Sequence, residues 1–345
     1  MQYPYKITNE SFLLPDLKGY AYEVWYWKLN PIDGHWSLWF RFTLLRNKFK
    51  SVAEVWGIFT QKGTNTKEKQ TYHTALKNTF PIEQCIYTAD ERPQILLKNN
   101  SVDFMTTHGK LEQNEKKLYW NLQLTPIAPQ ESFNFVPHTF WKLGLVKNYA
   151  VTVHEKILFN GVIETNEETT PVQNALGMQG HLAGIKQGHS WAWAHSCIFY
   201  DEDTGELSPL IIDILTARAR LGKHILSPKL TTMFIHYEGQ TYSLNSLNNI
   251  LSIKSQYVPQ HWELQLKTNT LEINVVTEAE IYTIVGVQYE DTDGTPLYCY
   301  NTKMATTKLY IRDIEKGTEK RFICPNKGAF EWVQRELWDK LSISI

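Results

Sequence analysis

The chain has 345 residues, 42% of them hydrophobic and 21% charged, with a formal net charge of −1. That length suits two domains of ordinary size and that balance a globular chain. The near-neutral charge argues against a nucleic-acid partner, whose phosphates need concentrated Lys and Arg, and no apolar run reaches the about 18 residues of a membrane helix.

Met1 to Lys6 lack the basic and then apolar pattern of a secretory leader. The four cysteines, Cys85, Cys197, Cys299 and Cys324, form no C-x-x-C pair. The expectation is a cytoplasmic protein with reduced thiols. Twelve Trp and 18 Tyr are many for this length, and such rings suit pleated surfaces and small-molecule pockets alike.

Strand signals open the chain. Tyr22 to Trp27, Trp36 to Leu45 and Val52 to Thr60 are rich in aromatic and β-branched residues. Asn30-Pro31-Ile32-Asp33-Gly34 separates the first two as a hairpin turn. The lysines at Lys62, Lys67 and Lys69 sit among Gly, Thr and Asn and read as a solvated loop. Pro126 to Pro137 reads as a long inter-strand loop. Turn chemistry recurs at Asp201 to Gly205 and at Asp291 to Gly294. Near the end, Phe330, Val333, Leu337 and Leu341 repeat at helical spacing, which predicts a helix from Gly328 to Leu341.

Two internal echoes suggest related halves. Trp25-Tyr26-Trp27 matches Trp191-Ala192-Trp193, each followed by a Gly-containing turn and a strand ending near arginine. Gly161-Val162 with Thr170-Pro171-Val172 matches Gly286-Val287 with Thr295-Pro296-Leu297. The expected division is 1–185 and 186–345, all-β, as two tandem barrels with a short C-terminal helix.

The stretch from Gly180 to Tyr200 is the most informative. Alternation places His189, Trp191, Trp193, His195, Cys197 and Phe199 on one face and Ser190, Ala192, Ala194, Ser196 and Ile198 on the other. Large rings fill a barrel interior or wall a ligand cavity, and a histidine on such a face needs a partner. His189 and His195 are roughly 20 Å apart on a strand rising about 3.3 Å per residue, too far to share an ion, so no metal is expected. His181 can fold back toward His189 across the Gly184 to Gly188 loop. Cys197 and Ser196 lie near His195, but no nucleophile elbow, phosphate loop or dinucleotide fingerprint appears, so no cofactor is expected. Glu23 shares a face with Trp25 and Trp27. It is either an acid of raised pKa among indoles or an ion-pair partner of Arg41 or Arg46.

Glu23-Val24-Trp25-Tyr26-Trp27, the Asp33-Gly34 turn and the strand through Phe40, Phe42 and Arg46 resemble the opening of the AttH and hydroxyneurosporene synthase (carotenoid 1,2-hydratase) group. Phe159-Asn160-Gly161 through Gly180-His181 to Trp191-Ala192-Trp193 is similar to that group's mid-chain junction. The resemblance implies two consecutive lipocalin-like (calycin) barrels, an architecture similar to tocopherol cyclases and fungal Diels–Alderases. It also implies acidic residues beside the junction histidine. Here Gly180 and Leu182 flank His181, and protonating an alkene needs a positioned acid.

Three functions follow. The first is binding of a hydrophobic small molecule of isoprenoid or fatty acyl type, with Trp25, Trp27, Trp191, Trp193, Cys197 and Phe199 as ligand contacts. The second is acid–base catalysis on a polyene or terpenoid as cyclase, hydratase or isomerase, with His181, His189, His195 and Glu23 as acids or bases. The third is a protein-interaction scaffold. Contact with a membrane surface stays open under each.

Overall fold

A computed structural model describes residues 19–63, 71–88, 94–103, 105–127, 132–137, 139–140, 143, 148–220 and 225–345. Met1 to Lys6, Lys67 and Lys69, on which the leader and loop expectations fall, lie outside them, as do residues 128–131 of the proposed long loop.

The chain folds into two 12-stranded antiparallel sheets. The first holds β1 (Ala21–Asn30), β2 (Trp36–Arg46), β3 (Ser51–Lys62), β4 (Thr71–Pro81), β5 (Cys85–Thr88), β6 (Gln94–Leu97), β7 (Asn100–Val102), β8 (Thr106–Gln113), β9 (Lys116–Pro126), β10 (Phe133–Asn134), β11 (Asn148–Thr165) and β12 (Thr169–Gly184). The second holds β13 (Ser190–Ser196), β14 (Phe199–Asp201), β15 (Leu207–Ser208), β16 (Ile211–Arg218), β17 (Leu230–Tyr237) and β18 (Gln240–Leu244). After a short helix, α1 (Leu247–Ser252), it continues with β19 (Ile253–Val258), β20 (His261–Lys267), β21 (Leu271–Glu278), β22 (Val285–Glu290), β23 (Pro296–Asp313) and β24 (Thr318–Gln334). They form two tandem barrel-like units, one nearly closed. No helix among the described residues is long and apolar enough to cross a membrane.

The two sheets repeat one topology. β1 lies between β2 and β12, just as β13 lies between β16 and β24. Beyond them run β11 then β9, and β23 then β21. The Trp25 and Trp191 echo therefore falls on equivalent strands. The second echo does not: Gly161 sits in β11 and Pro171 in β12, whereas Gly286 sits in β22 and Pro296 opens β23.

Every residue of β1 is buried, unlike an antiparallel strand with one wet face. Trp25, Trp27, Phe40, Phe42 and Trp120 pack inside the first barrel. Tyr22, Val24 and Tyr26 point the other way and join the core of the second. Polar bonds also cross: Asn30 Nδ2 donates to the Lys303 carbonyl at 2.8 Å, and Lys327 Nζ to the Pro31 and Gly34 carbonyls at 3.1 and 3.0 Å.

The predicted C-terminal helix is a strand. β24 runs through Gly328, Phe330 and Val333 to Gln334. Phe330 and Trp332 face the second barrel's core, while Val333 on the opposite face packs with Trp39 and Val287. A strand covered on both sides carries apolar residues at adjacent positions, so three-residue spacings arise by chance. Leu337, the third residue of the helical pattern, is 59% exposed. The chain end then lies along β22, where Ser344 N donates to the Gly286 carbonyl and Gln288 N to the Ile345 carbonyl, both at 2.8 Å.

Candidate functional site

Where the two sheets meet, they leave a cavity of about 90 Å3. Period-2 alternation sorts its wall. From the first sheet come Tyr22 and Tyr26 of β1, Trp39 and Arg41 of β2, Glu54 and Trp56 of β3 and Lys77 of β4. From the second come Trp191 and Trp193 of β13, Leu215 of β16, Tyr289 of β22 and Glu331 of β24. The Tyr26 and Trp193 rings meet edge to face at 5.6 Å and 89°, tying the two walls together. Gly180 makes room for Tyr26: a Cβ there would lie 2.1 Å from the Tyr26 ring. A sealed void of about 150 Å3 holds a benzene, so this cavity takes part of a ring or a slim chain, with the rest at its mouth.

Its charges are arranged unevenly. Glu290 is engaged by Lys50 Nζ at 2.9 Å and Asn47 Nδ2 at 3.0 Å. Glu54 accepts from Trp56 Nε1 at 3.0 Å and Thr79 Oγ1 at 3.3 Å. Glu331 accepts from Trp191 Nε1 at 3.3 Å and lies 3.8 Å from Lys303 Nζ. Burial pulls the Lys303 ammonium down to about 8, with Glu331 opposing. Arg41 differs. Its guanidinium carbon lies 4.1 Å from the Trp56 ring centroid and 4.0 Å from that of Tyr289, and its Nε has no hydrogen-bond partner.

Behind Trp193 lies a buried layer of acids. Trp193 Nε1 donates to Asp213 Oδ1 at 2.8 Å, and Thr152 Oγ1 donates to Asp213 Oδ2. Burial pushes the Asp213 carboxyl up to about 7, although both donors favour the anion. Burial, and then the neighbouring Asp213, hold the Glu155 carboxyl well above its ordinary range. His195 Nε2 lies 2.9 Å from the Glu155 carbonyl and 3.6 Å from its Oε2. A carbonyl only accepts, so Nε2 carries the proton. Burial and then Lys28 keep the imidazole well below its ordinary pKa, hence neutral. Burial thus favours the protonated form of both carboxyls and the neutral form of the histidine in this layer.

No family model and no curated protein sequence matches the chain. Solved structures do. A protein of Nitrosomonas europaea provisionally assigned as AttH matches at TM-score 0.54 and 10% identity, covering 92% of this chain and 94% of that one. Kievitone hydratase of Nectria haematococca matches at 0.51 and 8%, covering 93% and 90%. The protein CghA matches at 0.50 and 8%, covering 94% and 90%. The chain shares their fold. At such identity the likeness carries architecture and no chemistry, so the AttH-type fold leaves the site to be judged on its own residues.

Within that fold the anticipated residues separate. Glu23 and His181 are both fully buried and meet at 2.9 Å, Oε1 to Nε2, in the first barrel. Glu23 thus supplies the acid that His181 lacks in sequence. Trp25 stacks on that histidine, centroids 5.0 Å apart at 12°. Trp27 stacks on Phe40 at 5.2 Å, so both indoles fill the first barrel and neither lines the cavity. Arg41, one weighed partner of Glu23, lies on the other face of β2. Trp191 and Trp193 line the cavity, and His195 sits in the acid layer behind it. His189 precedes β13, partly exposed, with its backbone N–H on the Arg218 carbonyl at 2.8 Å. Its imidazole is lowered by burial and by Arg220, Arg335 and Arg218. Cys197 and Phe199 are fully buried in the second core. Asp213 and Glu155 were not anticipated, and Arg41 was expected only as a partner of Glu23, not as part of a cavity wall. An arginine between Phe40 and Phe42, in a run as apolar as β2, was the available signal.

Proposed function

We propose that the cavity between the two barrels binds a hydrophobic small molecule of isoprenoid or fatty acyl type. One observation carries this reading: Tyr26, Trp39, Trp56, Trp191, Trp193 and Tyr289, drawn from both sheets, converge on one cavity. Ring faces and edges offer apolar contact at little entropic cost, and a few polar groups set among them fix orientation. Native mass spectrometry of the purified protein, followed by solvent extraction, tests it. The expected result is a bound apolar molecule lost on Trp193→Ala. Protein that is ligand-free as purified and takes up no lipid from a mixed extract counts against the reading.

A second reading is proton transfer to a polyene or terpenoid, as in a cyclase, hydratase or isomerase. What favours it is Trp193, which lines the cavity with one edge and donates to Asp213 with the other. A carboxyl poised near neutrality suits acid catalysis. Asp213→Asn and Glu155→Gln separate the two readings: a binder keeps its affinity, whereas an enzyme loses turnover of the extracted molecule.

A further inference from the structure

Arg41 is only 7% exposed, and the two rings nearest it, Trp56 and Tyr289, come from opposite sides of the cavity, with Trp39 farther off at 5.5 Å. Lys77 Nζ also lies over Trp56, 4.2 Å from the centroid. Two cations therefore crowd one indole. Each acid in the same wall is already engaged elsewhere: Glu290 by Lys50 and Asn47, Glu54 by Trp56 and Thr79, Glu331 by Trp191 and Lys303. Among the described residues no carboxylate forms an ion pair with Arg41 or Lys77.

A buried guanidinium is costly unless its edge finds an acceptor. The rings hold its faces but cannot accept from the N–H groups that project in its plane. That planar edge matches two oxygens of a carboxylate. We infer that the cavity selects ligands bearing a carboxylate, or a similar planar anion, on an apolar body. Arg41 receives the anion and Lys77 supports it. The aromatic wall from β13 holds the rest of the molecule. The inference rests on the ligand-binding reading of this cavity and adds the charge of the ligand to it.

The test uses two slim isoprenoid probes that differ in the head group, geranate and geraniol, titrated calorimetrically into the full chain at about pH 7.5, where a carboxylic acid is ionised. Geranate is expected to bind about ten-fold more tightly or better, as a charge-assisted fork requires. Arg41→Gln is expected to erase that preference. Equal binding of the two probes to the unaltered protein overturns the inference while leaving the ligand-binding reading intact. Binding of neither overturns both. An Arg41→Gln chain that keeps the geranate preference also overturns the inference. Should Arg41→Gln fail to fold, Arg41→Lys keeps the charge but lacks the fork: a geranate preference reduced about three-fold or more supports the assignment, and an unchanged preference overturns it.

Discussion

Trp193 reaches diagonally across the β13–β16 pair to Asp213, the indole N–H 2.8 Å from the carboxyl oxygen. The same ring walls the cavity, so one side chain joins the cavity to the buried acids. Trp193→Phe keeps the ring and removes the donor. It is expected to destabilise the fold by about 1–3 kcal/mol, the cost of leaving a buried acceptor short of a partner. Urea denaturation reads this directly, and a midpoint equal to that of the unaltered protein refutes it.

The carboxyls of Asp213 and Glu155 are raised in the folded chain, Asp213 to about 7. Between the unfolded value and about 7, the native state therefore holds more protons than the unfolded state. Their contribution to stability is present at low pH and is lost as pH rises through that window. Glu155→Gln removes one titrating group with little change of shape. It is expected to flatten the fall of stability with pH above the ordinary carboxylate range and to stabilise the chain at alkaline relative to acidic pH. Thermal melts across this range check it; an unchanged slope excludes the pair as its source.

Glu23 and His181 form a fully buried pair at 2.9 Å. Removing the imidazole takes a buried hydrogen-bond partner from Glu23 inside the first barrel. His181→Ala is expected to cost about 3–5 kcal/mol, and Glu23→Gln less, because the amide retains an acceptor oxygen. A double-mutant cycle measures the coupling, which should exceed about 1 kcal/mol for residues in contact.

Gly180 admits the Tyr26 ring, and a methyl group there would lie 2.1 Å from it. Gly180→Ala is expected to push Tyr26 toward the cavity and cost about 1–3 kcal/mol from overpacking. A crystal structure of the variant showing Tyr26 unmoved would contradict this, as would an unaltered melting temperature.

Sequence alone determined that this is an all-β chain with two related halves. The strands from Tyr22, Trp36 and Val52 lie within β1, β2 and β3, and the turns at Gly34, Gly205 and Gly294 each place a glycine at positive φ. Alternation and turn chemistry are local and survive any packing. The residues of Trp191-Ala192-Trp193 that share a face were legible for the same reason.

What alternation cannot state is which face looks inward. The two Trp-x-Trp motifs occupy equivalent strands, yet Trp25 and Trp27 fill their own barrel while Trp191 and Trp193 turn out to the cavity. The period of 2 carries no sign, and docking one barrel on the other buries both faces. The same docking brings Tyr289 of the second sheet onto Arg41, whose own sheet already sets Trp56 beside it, and Thr152 to Asp213. Contacts between residues so far apart in the chain leave no local pattern, and only the tertiary structure decided them.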